Sequence, residues 1–236
     1  MWLQLRRLAG VSWTASLLFC CSATLLPVPT FSESRPAPRS PAASAPPALR
    51  PDKEAVALQT EPVRVRLDTS KGAIVIAVHR DWAPHGADRF LELVTARYFD
   101  DSRFFRVVKD QWAQFGINGD PKVATAWRQR TIPDDPRGQS VTRGRVAFAF
   151  AVPNGRTSQV YISLRDLSYQ DDQGFVPFGE VVEGMDVADA LNSEYGEGSG
   201  GGIRAGRQQP LFDGGNAYLD RAFPRLDRLL LARVVQ

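Results

Sequence analysis

Hydrophobic and polar residues alternate where the folded part of the chain begins. From Val63 to Asp68, valine and leucine alternate with arginine and aspartate, the period of two that predicts a half-buried β-strand. A turn over Ser70–Gly72 follows, and Ile74–Val78 is a second run of apolar, mainly β-branched residues. Two such runs on either side of a short turn that contains glycine predict a β-hairpin.

The next segment changes to a helical period. Pro84 suits a first helical position, where its missing N–H costs nothing. Between Ala87 and Val94 the apolar residues fall at i, i+3, i+4 and i+7, so one face of the predicted helix is apolar. Met185–Asn192 shows the same spacing over a shorter distance. We therefore expect two helices.

Short β-rich segments make up most of the remaining chain. They are Phe104–Val108, Trp112–Phe115, Arg145–Ala151, Gln159–Leu164, Phe178–Val182 and Leu229–Val235. With the hairpin they give eight strands, and the whole pattern predicts a mainly β fold: a closed eight-stranded antiparallel β-barrel with two capping helices. The glycines between Gly196 and Gly206 have no βαβ unit around them, so they predict a flexible surface loop.

The N-terminal segment has the pattern of a targeting signal. Arg6 and Arg7 precede an apolar run from Leu8 to Leu26, and Ser22–Ala23 offers a small-residue cleavage site, so residues 1–26 are predicted to be a signal peptide. The run also approaches the length that crosses a bilayer, which leaves an uncleaved signal anchor as the alternative. The expected localisation is the secretory pathway or another extracytoplasmic compartment, or a single-pass membrane-anchored state.

A proline-rich segment separates this signal from the folded part. Eight prolines lie between Pro27 and Pro51, mixed with serine, alanine and arginine. Such a composition cannot bury a core, so residues 27–61 are predicted to be a disordered or extended linker. The folded domain is then expected over residues 62–236.

Charge and composition exclude several classes of function. The net charge is +3, but from Pro62 onward 23 Lys and Arg face 22 Asp and Glu, a difference of +1, so we expect no nucleic-acid partner. Both cysteines, Cys20 and Cys21, lie in the N-terminal run. The two histidines, His79 and His85, have no partners at metal-ligand or triad spacing. We expect no cofactor and no metal, and a reaction that needs few ionisable groups.

Five segments together resemble the cyclophilin-type peptidyl-prolyl cis–trans isomerases, in the order and spacing of that family. They are Thr69–Ile76, Ala83–Val94, Phe104–Pro121, Thr157–Ser163 and Phe178–Asp186. The resemblance covers residues 63 to 236 and is most specific at the last segment. It implies a cyclophilin-like barrel that accelerates isomerisation of X-Pro bonds during protein folding. The implied partners are proline-containing polypeptides, and the implied state is a monomer.

The resemblance also implies the site residues. Arg106 would be the catalytic hydrogen-bond donor, and Gln114 would orient it. The substrate-binding residues would be Trp112, Gln111, Ala149, Phe150, Gln159, Tyr161, Tyr169 and Phe175. Chemistry supports an arginine in this role, because the twisted amide of the transition state has a basic nitrogen that a rigid, always charged donor can stabilise.

The chain departs from the family pattern at several of these positions. Gln111 stands where a phenylalanine normally floors the proline pocket, Phe150 replaces an asparagine, and Phe175 falls near a usual histidine. Tyr169 stands where typical members have a tryptophan that contacts cyclosporin, so the resemblance implies that a cyclosporin-type ligand binds weakly. The alternative function is therefore a catalytically weak or inactive peptide-binding or scaffold module with the same fold.

Overall fold

The computed structural model describes residues 61–201 and 207–236. This part of the chain forms nine β-strands. They are β1 Val63–Thr69, β2 Gly72–Val78, β3 Ser102–Arg103, β4 Arg106–Val108, β5 Trp112–Phe115, β6 Arg145–Phe148, β7 Val160–Ser163, β8 Pro177–Glu183 and β9 Arg228–Val235. The eight segments predicted from the sequence are all strands, and the additional strand is the two-residue β3.

All nine strands belong to one curled antiparallel sheet with the order β3-β9-β1-β2-β8-β6-β7-β5-β4. Its two end strands, β3 and β4, are separated in the chain by only Phe104 and Phe105, so the sheet must curl until its ends are neighbours. The predicted mainly β, antiparallel fold is thus confirmed, and the one difference is that nine strands form a curled sheet where eight were expected in a closed barrel. No ladder between β3 and β4 is found within the described residues, so hydrogen bonding does not close the ring.

The inner face of the sheet holds the main hydrophobic core. The alternation seen in β1 puts Val65 and Leu67 inside, and both are fully buried. Helix α1, Pro84–Thr95, covers this core, where the ring of Phe90 lies 4.9 Å from that of Phe178. The apolar spacing predicted for this helix is therefore the face that packs on the sheet.

The described part of the chain contains four α-helices, against two predicted. Besides α1 they are α2 Pro121–Arg128, α3 Met185–Asp189 and α4 Gln209–Ala222, and a 3-10 helix spans Ser168–Gln173. Helices α2 and α4 were missed. They pack together around a second apolar cluster that includes Phe105, Ala124 and Leu211.

The targeting and linker predictions fall on residues 1–60, outside the described residues, except at Glu61. Among the described helices, none has the length and apolarity that a membrane crossing requires.

Candidate active site

Three site residues lie side by side across adjacent strands. Arg106 on β4 pairs with Gln114 on β5, and Gln114 pairs with Tyr161 on β7. Directly opposed residues of antiparallel strands point to the same side of the sheet. Their chain neighbours, such as Val107 and Ala113, point into the core. The period of two therefore places this row on the outer face.

A chain of side-chain hydrogen bonds runs along the outer face from Arg106. Nη1 of Arg106 donates to Oε1 of Gln114 at 2.9 Å, and Nε2 of Gln114 donates to Oε1 of Gln159 at 2.8 Å. Nε2 of Gln159 in turn donates to Oε1 of Gln208 at 2.9 Å. The three glutamines are buried, so each amide is held by its neighbours and Arg106 has a fixed polar support.

A pocket of about 270 Å³ opens beside this row. Its walls combine polar and aromatic side chains, contributed by Arg106, Trp112, Gln114, Ala149, Phe150, Tyr161, Tyr169, Gln170, Gln173 and Phe175. The structure thus brings together eight of the ten residues expected from the sequence. Gln159 does not line the pocket but contacts two residues that do: its side chain accepts from Gln114, and its carbonyl accepts from the N–H of Ala149. Gln111 is the other exception.

Gln111 lies in the turn between β4 and β5 rather than in the pocket wall. Its N–H donates to the carbonyl of Val108, and its carbonyl accepts from the N–H of Leu164 at 2.8 Å. The prediction that Gln111 replaces the floor of the pocket is therefore not supported by its position. The turn needs its backbone, and the side chain is not among the lining residues.

Aromatic rings build one wall of the pocket. The rings of Phe150 and Phe175 are 4.7 Å apart, and Phe175 meets Tyr161 edge-on at 5.7 Å. The guanidinium of Arg156 lies 4.1 Å from the centre of the Phe150 ring, and Arg156 is only 3% exposed. Burial lowers the pKa of Arg156 from its usual value. These contacts hold a wall suited to a flat apolar group.

Tyr161 is anchored by its hydroxyl as well as its ring. The phenol donates to Oε1 of Gln170 at 2.8 Å. Burial raises the pKa of Tyr161 far above its usual value, and the nearby Tyr169 and Asp171 act in the same direction. The phenol therefore stays neutral and remains a hydrogen-bond donor across the physiological pH range.

Trp112 contacts the arginine from another side. The guanidinium of Arg106 lies 4.8 Å from the centre of the indole ring, a cation–π distance. The indole Nε1 is buried and has no hydrogen-bond acceptor among the described residues. This N–H is enclosed by protein atoms, so Trp112 lines the pocket with its ring and not with its N–H.

Sequence reasoning missed four residues at the site: Gln170, Gln173, Glu197 and Gln208. Gln170 and Gln173 lie between Tyr169 and Phe175 in the sequence. Both belong to the 3-10 helix Ser168–Gln173, which the sequence pattern did not indicate. Glu197 lies within the glycine-rich segment, and Gln208 follows it. Glu197 binds Arg106 across 91 positions of sequence, with Nε to Oε2 at 2.9 Å and Nη2 to Oε1 at 2.7 Å.

Comparison with known proteins identifies this arrangement. The family model for the cyclophilin type peptidyl-prolyl cis-trans isomerase matches residues 64–208, which contain the whole pocket. The chain therefore belongs to the cyclophilin-type peptidyl-prolyl cis–trans isomerases, the family of enzymes indicated by the five sequence segments.

Curated relatives carry the same name. A peptidyl-prolyl cis-trans isomerase-like 1 of Rhizopus delemar is 33% identical over 131 residues, 54% of this chain and 79% of the relative. A peptidyl-prolyl cis-trans isomerase of Acinetobacter baylyi is 30% identical over 144 residues, 56% of this chain and 75% of the relative.

Solved structures agree on the fold. A cyclophilin type isomerase of Cryptosporidium parvum has a TM-score of 0.55 at 16% identity and covers 74% of this chain and 98% of its own. A second structure of that protein was determined in the presence of the dipeptide Ala-Pro, with a TM-score of 0.54 at 18% identity, covering 73% of this chain and 99% of its own. At these identities the likeness concerns the fold.

Proposed function

We propose that this isomerase binds X-Pro segments of polypeptides in the pocket beside Arg106, and that Arg106 donates a hydrogen bond to the imide nitrogen as the bond twists. The observation that carries this proposal is the juxtaposition of a supported guanidinium and an aromatic pocket. Arg106 and the wall of Phe150, Tyr161 and Phe175 line the same 270 Å³ space.

The chemistry of the reaction matches these groups. An X-Pro amide isomerises slowly because its C–N bond has partial double-bond character. In the transition state the nitrogen loses this conjugation and becomes a hydrogen-bond acceptor. A donor that is already oriented stabilises that state more than the planar ground state, and this difference accelerates the reaction. No nucleophile and no proton transfer are required.

The pocket supplies the complementary binding surface. A proline ring is a compact apolar group, and the wall of Phe150, Phe175 and Tyr161 offers it aromatic surface. The solved structure of the Cryptosporidium isomerase in the presence of Ala-Pro supports a proline-containing ligand for this fold.

A protease-coupled assay on an X-Pro tetrapeptide tests this proposal with the full chain. Arg106→Ala is expected to lower kcat/KM by about 100-fold, the usual effect of removing one oriented donor. Arg80→Ala is the matched control, because Arg80 pairs with Asp88 on the exposed side of α1. A wild-type chain without acceleration, or an Arg106→Ala variant with full activity, would contradict the proposal. Peptide binding without acceleration would favour the scaffold alternative.

We also propose that residues 1–26 direct this enzyme to an extracytoplasmic compartment. The support is the pair Arg6–Arg7 before the apolar run Leu8–Leu26. Cell fractionation with N-terminal sequencing of the recovered protein tests this proposal. A mature chain that starts near Ala23 indicates a cleaved signal, a full-length chain in the membrane fraction indicates an anchor, and a full-length chain in the cytoplasm contradicts export.

We further propose that the enzyme acts as a monomer and binds cyclosporin-type ligands weakly. Tyr169 is 54% exposed at the pocket. Its smaller ring offers a bound macrocycle less apolar surface than an indole. Light scattering and ligand titration test these two points.

A further inference from the structure

The glycine-rich segment after α3 is packed against the residue that precedes the arginine. Oγ of Ser199 donates to the carbonyl of Phe105 at 2.7 Å, and Ser199 is 1% exposed. A Cβ at Gly200 would lie 2.5 Å from Cδ2 of Phe105, so only glycine allows this contact. The described part of the predicted flexible loop is therefore joined to the strand that carries Arg106.

This packing sets Glu197 beside the guanidinium. The N–H of Gly201 donates to the carbonyl of Glu197 at 2.7 Å, which closes a turn around Glu197. A Cβ at Gly201 would lie 2.5 Å from Oε2 of Glu197 and closer still to its carbonyl oxygen. Gly201 thus leaves the room in which the carboxylate meets Arg106.

The contact between Glu197 and Arg106 is a side-on, two-point ion pair. Nε donates to Oε2 at 2.9 Å and Nη2 donates to Oε1 at 2.7 Å. Two parallel N–H···O bonds fix the plane of a guanidinium, which one bond cannot do. Because the carboxylate of Glu197 is 48% exposed, the pair contributes little to folding stability. Its effect should lie in orientation.

A count of donors shows what remains for a substrate. A guanidinium has five N–H groups. Glu197 accepts from two and Gln114 from a third, on Nη1. One N–H on Nη1 and one on Nη2 are left. The ring of Trp112 limits movement out of the plane. Glu197 from the glycine-rich segment, together with Gln114 and Trp112 from β5, thus defines which N–H groups can face a ligand.

We propose that Glu197 is a positioning residue for the isomerase reaction, acting through Arg106. This inference rests on the proposed function, since it assigns to Glu197 the orientation of the donor named there. The carboxylate holds two N–H groups away from the substrate and thereby presents the other two. Its removal leaves the aromatic pocket intact but lets the guanidinium rotate about its side chain. The loss should appear in the transition state and not in substrate binding.

The test compares Glu197→Gln with wild type in the full chain. The amide keeps the size of the side chain but offers one acceptor in place of two. We expect kcat to fall about tenfold, because misorientation of a catalytic group by a fraction of an ångström has effects of this order. KM should stay within about twofold, since the pocket is unchanged. Hydrogen exchange of the Arg106 Nε–H, followed by NMR, should become faster.

Glu194→Gln is the matched control, because Glu194 lies three residues before Glu197 but pairs with Arg225. It should leave kcat, KM and the Arg106 signal unchanged. Gly201→Ala is a second variant that keeps the charge but displaces the carboxylate, and it should lower kcat as Glu197→Gln does. Melting temperatures of all variants establish that they fold.

The outcomes separate this inference from the proposed function. A wild-type chain without isomerase activity means that the proposed function has failed. An active wild type with an equally active Glu197→Gln variant overturns the positioning role alone. A Glu197→Gln variant that is faster than wild type also overturns it, because the carboxylate then competes with the substrate for Arg106. An equal loss in Glu194→Gln indicates a general charge effect and contradicts the inference.

Discussion

The phenol of Tyr161 donates a hydrogen bond of 2.8 Å to the side-chain oxygen of Gln170, and both residues line the pocket. The bond joins β7 to the 3-10 helix Ser168–Gln173. The bond occupies the single O–H of Tyr161, which therefore does not donate to a ligand. The wall beside Arg106 is therefore neutral and fixed from behind.

Burial of this phenol predicts a specific dependence of stability on pH. The pKa of Tyr161 is raised in the folded state above its ordinary value of 10.0, mainly by desolvation. The folded chain then holds the proton more tightly than the unfolded chain. The contribution is fully present below pH 10 and is lost as the pH rises above it, by about 1.4 kcal/mol for each pH unit.

Tyr161→Phe should remove this part of the alkaline loss. Urea unfolding at pH 8 and at pH 11 measures it, with Tyr218→Phe as control. At pH 8 we expect the variant to be less stable than wild type by about 1–2 kcal/mol, because Gln170 loses its partner. Between the two pH values the variant should lose less stability than wild type. An equal loss in both chains would contradict the burial argument.

Phe175 should contribute to binding rather than to the chemical step. Its ring contacts both Phe150 and Tyr161 and is half-buried. Phe175→Ala removes apolar surface worth about 1.5–3 kcal/mol when fully covered. We expect KM to rise about tenfold with a smaller change in kcat. Val152→Ala, at an exposed position outside the pocket lining, is the control. A fall in kcat at constant KM would contradict a binding role.

The side chain of Gln111 should not be required for activity. Its side chain is not among the pocket-lining residues, and the bonds it makes in the turn are from its backbone. We expect Gln111→Ala to keep kcat/KM within about twofold, because the truncation removes no pocket-lining atom and leaves the backbone bonds of the turn in place. Steady-state kinetics on the same tetrapeptide measure this. A loss of tenfold or more would show that Gln111 contacts the substrate after all.

Asp135 should stabilise helix α1 from a distant loop. The N-cap residue Ala83 has no side-chain acceptor, and the carboxylate of Asp135 accepts from the N–H groups of His85 and Gly86, both at 2.8 Å. Losing a capping acceptor costs about 1–2 kcal/mol. Asp135→Ala should lower the free energy of unfolding by this amount, measured in urea. The exposed Asp88→Ala should change it little, and an equal effect of both would contradict the capping role.

The strands were predictable because apolar residues on the buried face alternate with polar residues on the exposed face. β5 was expected over Trp112–Phe115 and has those bounds, and β9 begins one residue before its predicted start. A half-buried strand must alternate to fill one face of the sheet, whatever lies elsewhere in the chain. The resemblance to cyclophilins added the identity of the residues on the outer face, which the alternation alone does not reveal.

The missed helices have physical reasons. Helix α2 is capped by Asp120, whose side chain accepts from the N–H of Lys122. Pro121 then occupies the first helical position. This capping pattern was present in the sequence but is brief. Helix α4 is kinked at Gly215, where φ is 52°. Only glycine fits there, because a Cβ would collide with the carbonyl of Gly119. Two adjacent glycines normally argue against a helix.

Long-range partners at the site could not be read from sequence. Glu197 meets Arg106 and Gln208 meets Gln159 only because the sheet and the glycine-rich segment fold together. A glutamate between glycines carries no local signal of its partner. Gln111 is a different case: the sequence match assigned it to the pocket, but its side chain is not among the residues that line the pocket.

The proposed function requires Arg106 to accelerate rotation about the X-Pro bond itself. NMR exchange spectroscopy on an Ala-Pro peptide measures this directly, because it follows cis and trans signals at equilibrium without a coupling protease. We expect wild-type protein at a small fraction of the peptide concentration to produce exchange cross-peaks within a second. Uncatalysed exchange takes tens to hundreds of seconds. Arg106→Ala should abolish these cross-peaks while Arg80→Ala keeps them. Cross-peaks of equal intensity with Arg106→Ala, or none with wild type, would contradict the claim.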